Sequence, residues 1–295
     1  MKIGVVICTI NRPDVLHQTV LSVLRQALLP VQIVISSPGT EHVRKETLDL
    51  PGVDSIFSPS GSAIQRNASL VRIRPDVDLV AFLDDDIQLS RFYFAEMARL
   101  FLDQPELLIA SGRLLHDGGR GSRIETERAR QMCEEFDRSH DPHAPIGWRI
   151  TDSGYGCNMC VRYEALGDCR FDENLPLYAW LEDRDFSFRL TKGKFPPVEF
   201  YNAAGVHLGS RSGRVSGVRL GFSTVVNPIY LRRKSQTFTM QYIVVHYWLR
   251  CFIGNLIGVI TGDKEYDRWG LLKGNLLGYW HLLHGRCNPG YILQL

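Results

Sequence analysis

Residues 78–86 of this 295-residue chain read DLVAFLDDD, an apolar run that ends in three consecutive aspartates. The run at 78–83 has the length and composition of a buried β-strand. Three earlier runs have the same character and lie at 3–8, 31–35 and 53–57. Two helical patterns separate them, at 14–26 and 63–73. Strands and helices that alternate at this spacing predict an α/β fold with a doubly wound, mostly parallel sheet and flanking helices.

Polar residues follow these strands directly, at the edge where open parallel sheets bind their ligands. Three adjacent carboxylates repel one another, and a divalent cation removes that penalty. Because alternate residues of a strand face the same side, we expect Asp84 and Asp86 to lie together and Asp85 to point away. Carboxylate oxygens are preferred ligands of Mg²⁺ and Mn²⁺. The alternative is a solvated acidic turn that caps the next helix.

Composition indicates an ordinary globular protein and argues against several other classes. The chain has 44% hydrophobic and 22% charged residues, and its net charge of +2 argues against a general nucleic-acid binder. Seven scattered cysteines form no paired framework, which favours a reducing cytoplasm. Cys157 and Cys160 form a CxxC pair, but no second pair lies at zinc-site spacing, so we expect both to be small core residues.

The last third of the chain differs in character from the rest. No Asp or Glu occurs from Phe200 to Gly262. Basic residues recur there, at Arg211, Arg214, Arg219, Arg232, Arg233, Lys234 and Arg250. Apolar and aromatic segments at 238–262 and 269–283 are interrupted by polar residues, which is typical of helices that lie in a bilayer surface rather than cross it. The alternative is that both helices are ordinary core.

Six stretches of the sequence, taken in order, resemble motifs of the family 2 glycosyltransferases, which have the GT-A fold. They are VVICTINRPDVLHQTVLSVLRQ (5–26), GSAIQRNASL (61–70), AFLDDDIQLS (81–90), GYGCNMCVR (154–162), FDENL (171–175) and WLEDRDFSFRL (180–190). The resemblance extends over about residues 2–210, and the combination of motifs is more specific than any one of them.

The resemblance implies a nucleoside-diphosphate sugar as donor and Mn²⁺ or Mg²⁺ as cofactor. It places the cation on Asp86, and many relatives have a histidine at the position of His207 as a further ligand. Donor contacts are expected from Thr9, Asn11, Arg12, Ser36, Gln65, Arg66, Asn67, Asp84, Asp85 and Arg211. The acidic residue that usually holds the nucleobase after the second strand is replaced by Ser36 and Ser37, which leaves the base undefined.

The reaction that the resemblance implies also needs a base, since the incoming hydroxyl loses a proton as it attacks an oxocarbenium-like centre. Asp183 matches that role, with Glu182 as the alternate, and a single base with in-line attack predicts inversion. The alternative is an acidic pair stabilised by a helix dipole. Asp185 is expected to pair with a neighbouring arginine, either Arg184 or Arg189, on the helix surface. Acceptor contacts are expected from Gly156, Tyr178 and Trp180.

These expectations divide the chain into two regions. Residues 1–210 would form the catalytic domain, with a nucleotide-binding half at about 1–110 and an acceptor half at about 111–210. Residues 211–295 would form a basic loop and a helical, amphipathic arm. Within the acceptor half, 112–150 has the character of an insertion or mobile flap, with a charged helix at 125–139.

The predicted function is an inverting glycosyltransferase that moves a sugar to a hydroxyl of a glycan acceptor. The resemblance implies an acceptor linked to polyprenyl diphosphate, in surface or exopolysaccharide assembly, and hence a cytoplasmic protein at the inner face of the cytoplasmic membrane. One alternative is a sugar nucleotidyltransferase, although the glycine-rich triphosphate loop typical of that class is replaced by residues 9–13. Another alternative is a non-catalytic membrane-surface protein on the same fold.

Overall fold

A computed structural model describes residues 1–192, 194–212, 215–263 and 266–295. The chain divides into two compact units. The first comprises Met1–Ser60, Ile64–Arg170 and Ser187–Gly213, and the second Gly61–Ala63, Phe171–Phe186 and Arg214–Leu295. Residues 61–63 and 171–186, which the motifs place in the N-terminal domain, therefore group with the C-terminal region.

The first unit is built on one sheet. Its nine strands among the described residues are β1 (Ile3–Cys8), β2 (Gln32–Ser37), β3 (Val53–Phe57), β4 (Leu79–Asp84), β5 (Ile87–Leu89), β6 (Ile109–Asp117), β7 (Trp148–Ile150), β8 (Asn158–Arg162) and β9 (Val198–His207). The order is β3-β2-β1-β4-β8-β6-β9-β5, and β7 pairs with β9. Strands β1 to β4 are parallel, whereas β8 is antiparallel to both of its neighbours. The predicted α/β class is confirmed, with a parallel N-terminal half and a mixed second half.

Helices flank this sheet because each has one apolar face. They are α1 (Pro13–Leu24), α2 (Lys45–Leu48), α3 (Ser62–Leu70), α4 (Tyr93–Asp103), α5 (Thr126–Asp137) and α6 (Tyr163–Leu166), with a 3₁₀ turn at Thr40–His42. In α1 the buried residues Leu16, Val20 and Val23 recur at helical spacing and join the strands in one core. Pro13 lies in the first turn, where its missing N–H costs no hydrogen bond.

The segment 112–150 is not the loose insertion that its composition predicts. Residues 112–117 continue β6, and Trp148–Ile150 forms β7, so both ends belong to the sheet. The predicted helix at 125–139 is confirmed as α5. The pattern was misleading because the outer half of β6 is only partly buried and tolerates polar residues.

The second unit is mainly helical. Among the described residues the remaining helical segments are α7 (Glu182–Thr191), of which only the first half belongs to this unit, α8 (Gly217–Ser235), α9 (Met240–Tyr242), a π-helical turn at Ile243–Leu249, α10 (Arg250–Ile260), α11 (Arg268–Leu283) and a 3₁₀ turn at Pro289–Gln294. Glycines let α8 and α11 approach closely: a Cβ on Gly274 would lie 2.1 Å from the Val218 carbonyl oxygen. At this crossing the buried Asn275 amide donates to the Gly221 carbonyl and the Thr224 hydroxyl, both at 2.8 Å.

The segment Met240–Ile260 is a continuous helical stretch of 21 residues. Among the described residues it is the one helix long and apolar enough to cross a membrane. Length and composition alone establish this, and the core helix of a soluble protein can meet the same criteria.

Candidate metal centre and acidic pair

Two aspartates and a histidine converge at one edge of the sheet. Asp84 ends β4, Asp86 lies in the turn that follows, and His207 ends β9, where it pairs with Ile87 of β5. One side-chain atom of each of the three residues lies within 4.8 Å of the other two. The Nε2 atom of His207 is 3.2 Å from Asp86 Oδ1 and 3.8 Å from Asp84 Oδ2. Two carboxylate oxygens and an imidazole nitrogen form a suitable donor set for a divalent cation.

Asp117, at the end of β6, holds the other side of the histidine ring. Its Oδ1 atom lies 3.0 Å from His207 Nδ1, and its Oδ2 atom accepts the Tyr155 hydroxyl at 2.9 Å. Burial alone would lower the pKa of His207, but hydrogen bonds to Asp117 and Asp86 raise the pKa to about 10. The sequence patterns do not single out Asp117. The only local signal is an aspartate before Gly118 and Gly119 at the end of a strand.

Glycines allow this close packing around the histidine. A Cβ on Gly119 would lie 2.7 Å from the His207 ring, and the Gly119 amide instead donates to Asp117 at 2.9 Å. Gly209 has a left-handed φ of +74°, and a Cβ there would lie 2.1 Å from the Gly118 carbonyl oxygen. Side chains at Gly119 and Gly209 would therefore displace either the ring or the loop after β9.

Asp85 points away from the cluster, as the alternation of side chains predicts. Its Oδ1 atom accepts Arg12 Nη1 at 2.8 Å, its Oδ2 atom accepts the Thr9 hydroxyl at 2.6 Å, and the residue is 4% exposed. Burial raises the pKa of Asp85 to about 7, against the opposing effect of Arg12. Both oxygens are engaged within the protein, and the contact between Asp85 and the nucleotide stays a prediction.

Arg12 connects the loop after β1 to the loop after β9 by hydrogen bonds. Its guanidinium donates to the carbonyl oxygen of Ser210 at 3.0 Å and to that of Ser212. The Ser210 amide in turn donates to Asp86 Oδ2 at 2.7 Å. The side chain of Arg12 is 14% exposed, and its contact with the donor stays a prediction.

Three other predicted donor residues take part in hydrogen bonds within the protein, near the ends of β1 and β2. Gln65 donates to the carbonyl oxygens of Thr9 at 3.1 Å and Ser36 at 3.0 Å, and the Ser36 hydroxyl lies 2.8 Å from that of Ser58. Thr9, Ser36 and Gln65 are each at most 3% exposed. The strand ends turn these side chains inward, and their contact with the nucleotide stays a prediction.

The remaining predicted donor residues range from buried, as in Arg66 at 4% exposure, to exposed. Arg66 Nη2 donates to the Gly156 carbonyl at 3.0 Å and lies 3.3 Å from Asp84 Oδ1, and Asn67 is 9% exposed. Asn11 is exposed and has a left-handed φ of 57°. Its backbone N–H donates to His42 Nδ1 at 3.2 Å. Arg211 is also exposed, and Arg214 lies outside the described residues.

The acidic pair begins α7, as the sequence pattern predicts. Glu182 is 8% exposed and Asp183 is half-buried, with its Oδ1 atom accepting the Arg184 amide at 2.7 Å. The loop before the pair has three non-glycine residues with left-handed backbone: Leu177 (φ 59°), Ala179 (φ 49°) and Leu181 (φ 77°). Tyr178, in the same loop, is 59% exposed. Trp180 packs edge-to-face on Tyr247 at 5.1 Å between ring centroids.

Asp185 differs from its prediction. It is fully buried and accepts Lys234 Nζ and the Ser235 hydroxyl, both at 3.0 Å, so the predicted position on the helix surface is wrong. Helical spacing turns this position inward, where Lys234 compensates the charge. Arg184 lies instead among aromatic rings, 4.7 Å from the centroids of both Phe238 and Tyr242.

Comparisons with known proteins agree with this architecture. The sequence model of the family described as glycosyl transferase family 2 matches residues 4–169, more than half of the chain. The crystal structure of GalNAc-T7 with UDP, GalNAc and Mn²⁺ is 11% identical, with a TM-score of 0.56; the match covers 100% of this chain but only 56% of that one. The mannosyltransferase PcManGT from Pyrobaculum calidifontis, in complex with GDP-Man and Mn²⁺, is 12% identical, with a TM-score of 0.57 and coverage of 96% and 87%. At such identities the likeness is one of fold. No curated protein sequence matches the chain.

Proposed function

Because this chain belongs to glycosyl transferase family 2, we propose that it moves a sugar from a nucleoside-diphosphate sugar to a hydroxyl of a glycan acceptor, with Mn²⁺ or Mg²⁺ as cofactor. The observation that supports this best is the convergence of Asp84, Asp86 and His207 within 4.8 Å at the sheet edge. Open α/β sheets bind ligands at that edge.

The three side chains fit a resident cation. Asp117 holds His207 Nδ1, so the ring presents Nε2 towards the two carboxylates. Mn²⁺ accepts such a mixture of oxygen and imidazole ligands. When bound, the cation would offset the charge that develops on the departing diphosphate.

The acidic pair Glu182 and Asp183 supplies the base that the transfer reaction needs. Asp183 takes the proton of the incoming hydroxyl, and Glu182 is the alternate base. One base with in-line attack leads to inversion at the anomeric carbon. The aromatic contacts of Arg184, which follows Asp183 directly, support the helical turn that carries the base.

Substrate contacts are proposed for residues near the open edge and in the loop before α7. Asn11, Arg66, Asn67 and Arg211 would contact the donor, and Asp84 its ribose or a shared cation. Gly156 and Trp180 would contact the acceptor, and the exposed ring of Tyr178 can stack on a sugar.

The acceptor is proposed to be a glycan on a polyprenyl diphosphate, at the inner face of the cytoplasmic membrane, in exopolysaccharide or surface polysaccharide assembly. Support comes from the family resemblance and from the basic, apolar C-terminal region. From Arg214 to Leu295 the sequence has ten basic and three acidic residues. Such a surplus favours anionic membrane surfaces and diphosphate groups.

Asp117→Asn should weaken Mn²⁺ binding by about 10- to 100-fold, the usual cost of losing a carboxylate that orients a metal-bound histidine. The substitution keeps the side-chain size but removes the charge next to His207 Nδ1. Calorimetric titration of the purified protein with Mn²⁺ measures the effect. The control is Tyr155→Phe, which removes only the hydrogen bond to the other Asp117 oxygen. Equal Mn²⁺ affinity in wild type and Asp117→Asn would rule out the positioning role.

A panel of UDP-, GDP- and dTDP-sugars tests the donor site, with thermal unfolding measured with and without Mn²⁺. A donor at 100 times its Kd adds about 2.7 kcal/mol to the free energy of unfolding. For a domain of this size that is about 5 °C in Tm. We expect one nucleotide class to raise Tm, and to do so only with Mn²⁺. If no nucleotide sugar raises Tm in either condition, the proposed function is wrong.

A further inference from the structure

The helical stretch Met240–Ile260 has a continuous apolar stripe that no other described part of the chain covers. Six side chains form it, each between 43% and 76% exposed: Val245, Leu249, Ile253, Leu256, Ile257 and Ile260. At about 100° per residue they fall within about 120° of the helix circumference. The stripe is therefore one face of the helix and not a scatter of single exposed residues.

The exposed face of α11 repeats this pattern. Trp269, Leu276, Trp280 and Leu283 are between 46% and 85% exposed and fall within about 60° of the helix circumference. Lys273 lies on the same face and is also exposed. Exposed apolar areas of this extent on a folded protein mark interaction sites.

An apolar groove lies where α10 and α11 meet. The helices are joined by a hydrogen bond of 3.0 Å from Asn255 to Asn275 and by an edge-to-face contact between Phe252 and Tyr279. The groove has a volume of about 420 Å³ and is lined by Phe252, Trp269, Gly270, Leu272, Lys273 and Leu276. Of these lining residues, Lys273 alone has a charged side chain.

Charge favours an anionic partner. The C-terminal segment 214–295, which carries both helices, has the ten basic and three acidic residues noted above. Two of the acids are engaged locally, since Asp263 pairs with Arg268 at 2.7 Å and Asp267 caps α11 by accepting the Gly270 amide at 2.8 Å. An apolar surface with a basic surplus matches the interface of an anionic bilayer.

The polar side of the Met240–Ile260 helical stretch indicates that this stretch lies in the plane of the membrane. Asn255 is buried, and it bonds to Asn275 and accepts Arg268 Nη1 at 3.0 Å. Arg250 is exposed at the border of the apolar stripe. A helix that spans a bilayer alone is apolar on all sides, whereas one with a single apolar face lies in the interface.

We propose that the exposed stripes of the Met240–Ile260 helical stretch and of α11, together the α10–α11 face, dock on an anionic lipid bilayer. Both helices lie parallel to the membrane plane, an acyl chain enters the groove, and the Lys273 ammonium contacts a lipid phosphate. The proposal deepens the membrane location given under the proposed function and rests on it. It names the surface and the lipid chemistry that achieve that location.

Sedimentation of the full chain with vesicles tests this docking. Phosphatidylcholine vesicles with about one quarter phosphatidylglycerol should bind the protein, and pure phosphatidylcholine vesicles should bind it more weakly. The double variant Leu249→Glu/Ile253→Glu should lower the partition coefficient at least about tenfold, since two buried apolar side chains are lost and two like charges meet the lipid. Lys273→Glu should lower binding to the anionic vesicles several-fold.

The matched control is Leu102→Glu, because Leu102 is 67% exposed on α4 in the other unit. It should sediment like wild type, and thermal unfolding confirms that each variant folds. Two results would overturn the docking proposal: no vesicle binding by wild type, or equal binding by wild type and the double variant. Self-association through this face is a further contrary outcome, recognised by a dimer in ultracentrifugation that the double variant abolishes, without vesicle binding.

Lipids brominated at defined acyl positions test the orientation. Trp269 and Trp280 should be quenched most by bromines near the headgroups, and Trp269→Phe should remove part of that quenching. Strongest quenching by bromines at the bilayer centre would indicate a different insertion and would contradict the parallel arrangement. The donor-dependent Tm shift of the wild-type protein separates the two proposals. A donor-dependent shift without vesicle binding refutes the docking alone, and vesicle binding without any donor-dependent shift refutes the donor site alone.

Discussion

Asp86→Asn should lower the rate of sugar transfer by at least about 1,000-fold, since about 4 kcal/mol of transition-state stabilisation by the cation corresponds to three factors of ten. Asparagine keeps the size of the side chain but removes the charge that lies 3.2 Å from His207. The variant should also lose most of its Mn²⁺ affinity. Release of nucleoside diphosphate from the identified donor measures the rate, and calorimetric titration measures the metal.

Two comparisons make this result specific. Asp76→Asn changes an exposed carboxylate that pairs with Lys2 and Arg74, so its rate should stay within about twofold of wild type. Asp85→Asn should instead lower Tm, because both Asp85 oxygens hold the first loop. Wild-type Mn²⁺ affinity in Asp86→Asn would show that the cation binds elsewhere.

Asp183→Asn should lower kcat by about 100- to 10,000-fold, the range typical of a lost general base. The substitution keeps an oxygen for the hydrogen bond from the Arg184 amide at 2.7 Å, so the start of α7 should persist. The donor should still raise Tm in the presence of Mn²⁺, because the base acts on the acceptor. Initial rates at saturating donor and acceptor give the effect on kcat.

The paired variant Glu182→Gln distinguishes the two carboxylates. We expect it to have a smaller effect than Asp183→Asn, and Glu164→Gln, at an exposed position on α6, to have none. If Glu182→Gln loses more activity than Asp183→Asn, the base is Glu182. If both retain more than about a third of the wild-type rate, the acidic pair does not supply the base.

The N-terminal half of the fold follows from local patterns, whereas the second half does not. The strands at 3–8 and 53–57 were predicted with their observed bounds, because each is a short run between clear turn signals. The outer half of β6 was missed, since its side chains are only partly buried and its pattern is polar. Antiparallel pairing of β8 depends on its contacts with β4 and β6, which are distant from it in sequence.

The candidate site shows the same division. Alternation of side chains predicts the separation of Asp85 from its neighbours, but it does not reveal Arg12 as the partner. No sequence pattern identifies Asp117, because its contact with His207 joins residues 90 positions apart. Burial of Thr9 and Gln65 is likewise set by the packed ends of two strands, which residue type alone does not report.

The loop before the acidic pair restricts which amino acids the chain can carry there. Left-handed backbone costs a residue with a Cβ about 1–2 kcal/mol, and three such residues occur at 177, 179 and 181. Hydrogen bonds to the carbonyl oxygens of Leu177 and Tyr178 from Ser62, and of Trp180 from Asn227, hold this path. Glycine would relieve this backbone cost at the three positions, and valine or isoleucine would raise it despite their similar hydrophobicity. Backbone dihedral angles therefore limit which amino acids positions 177, 179 and 181 can carry.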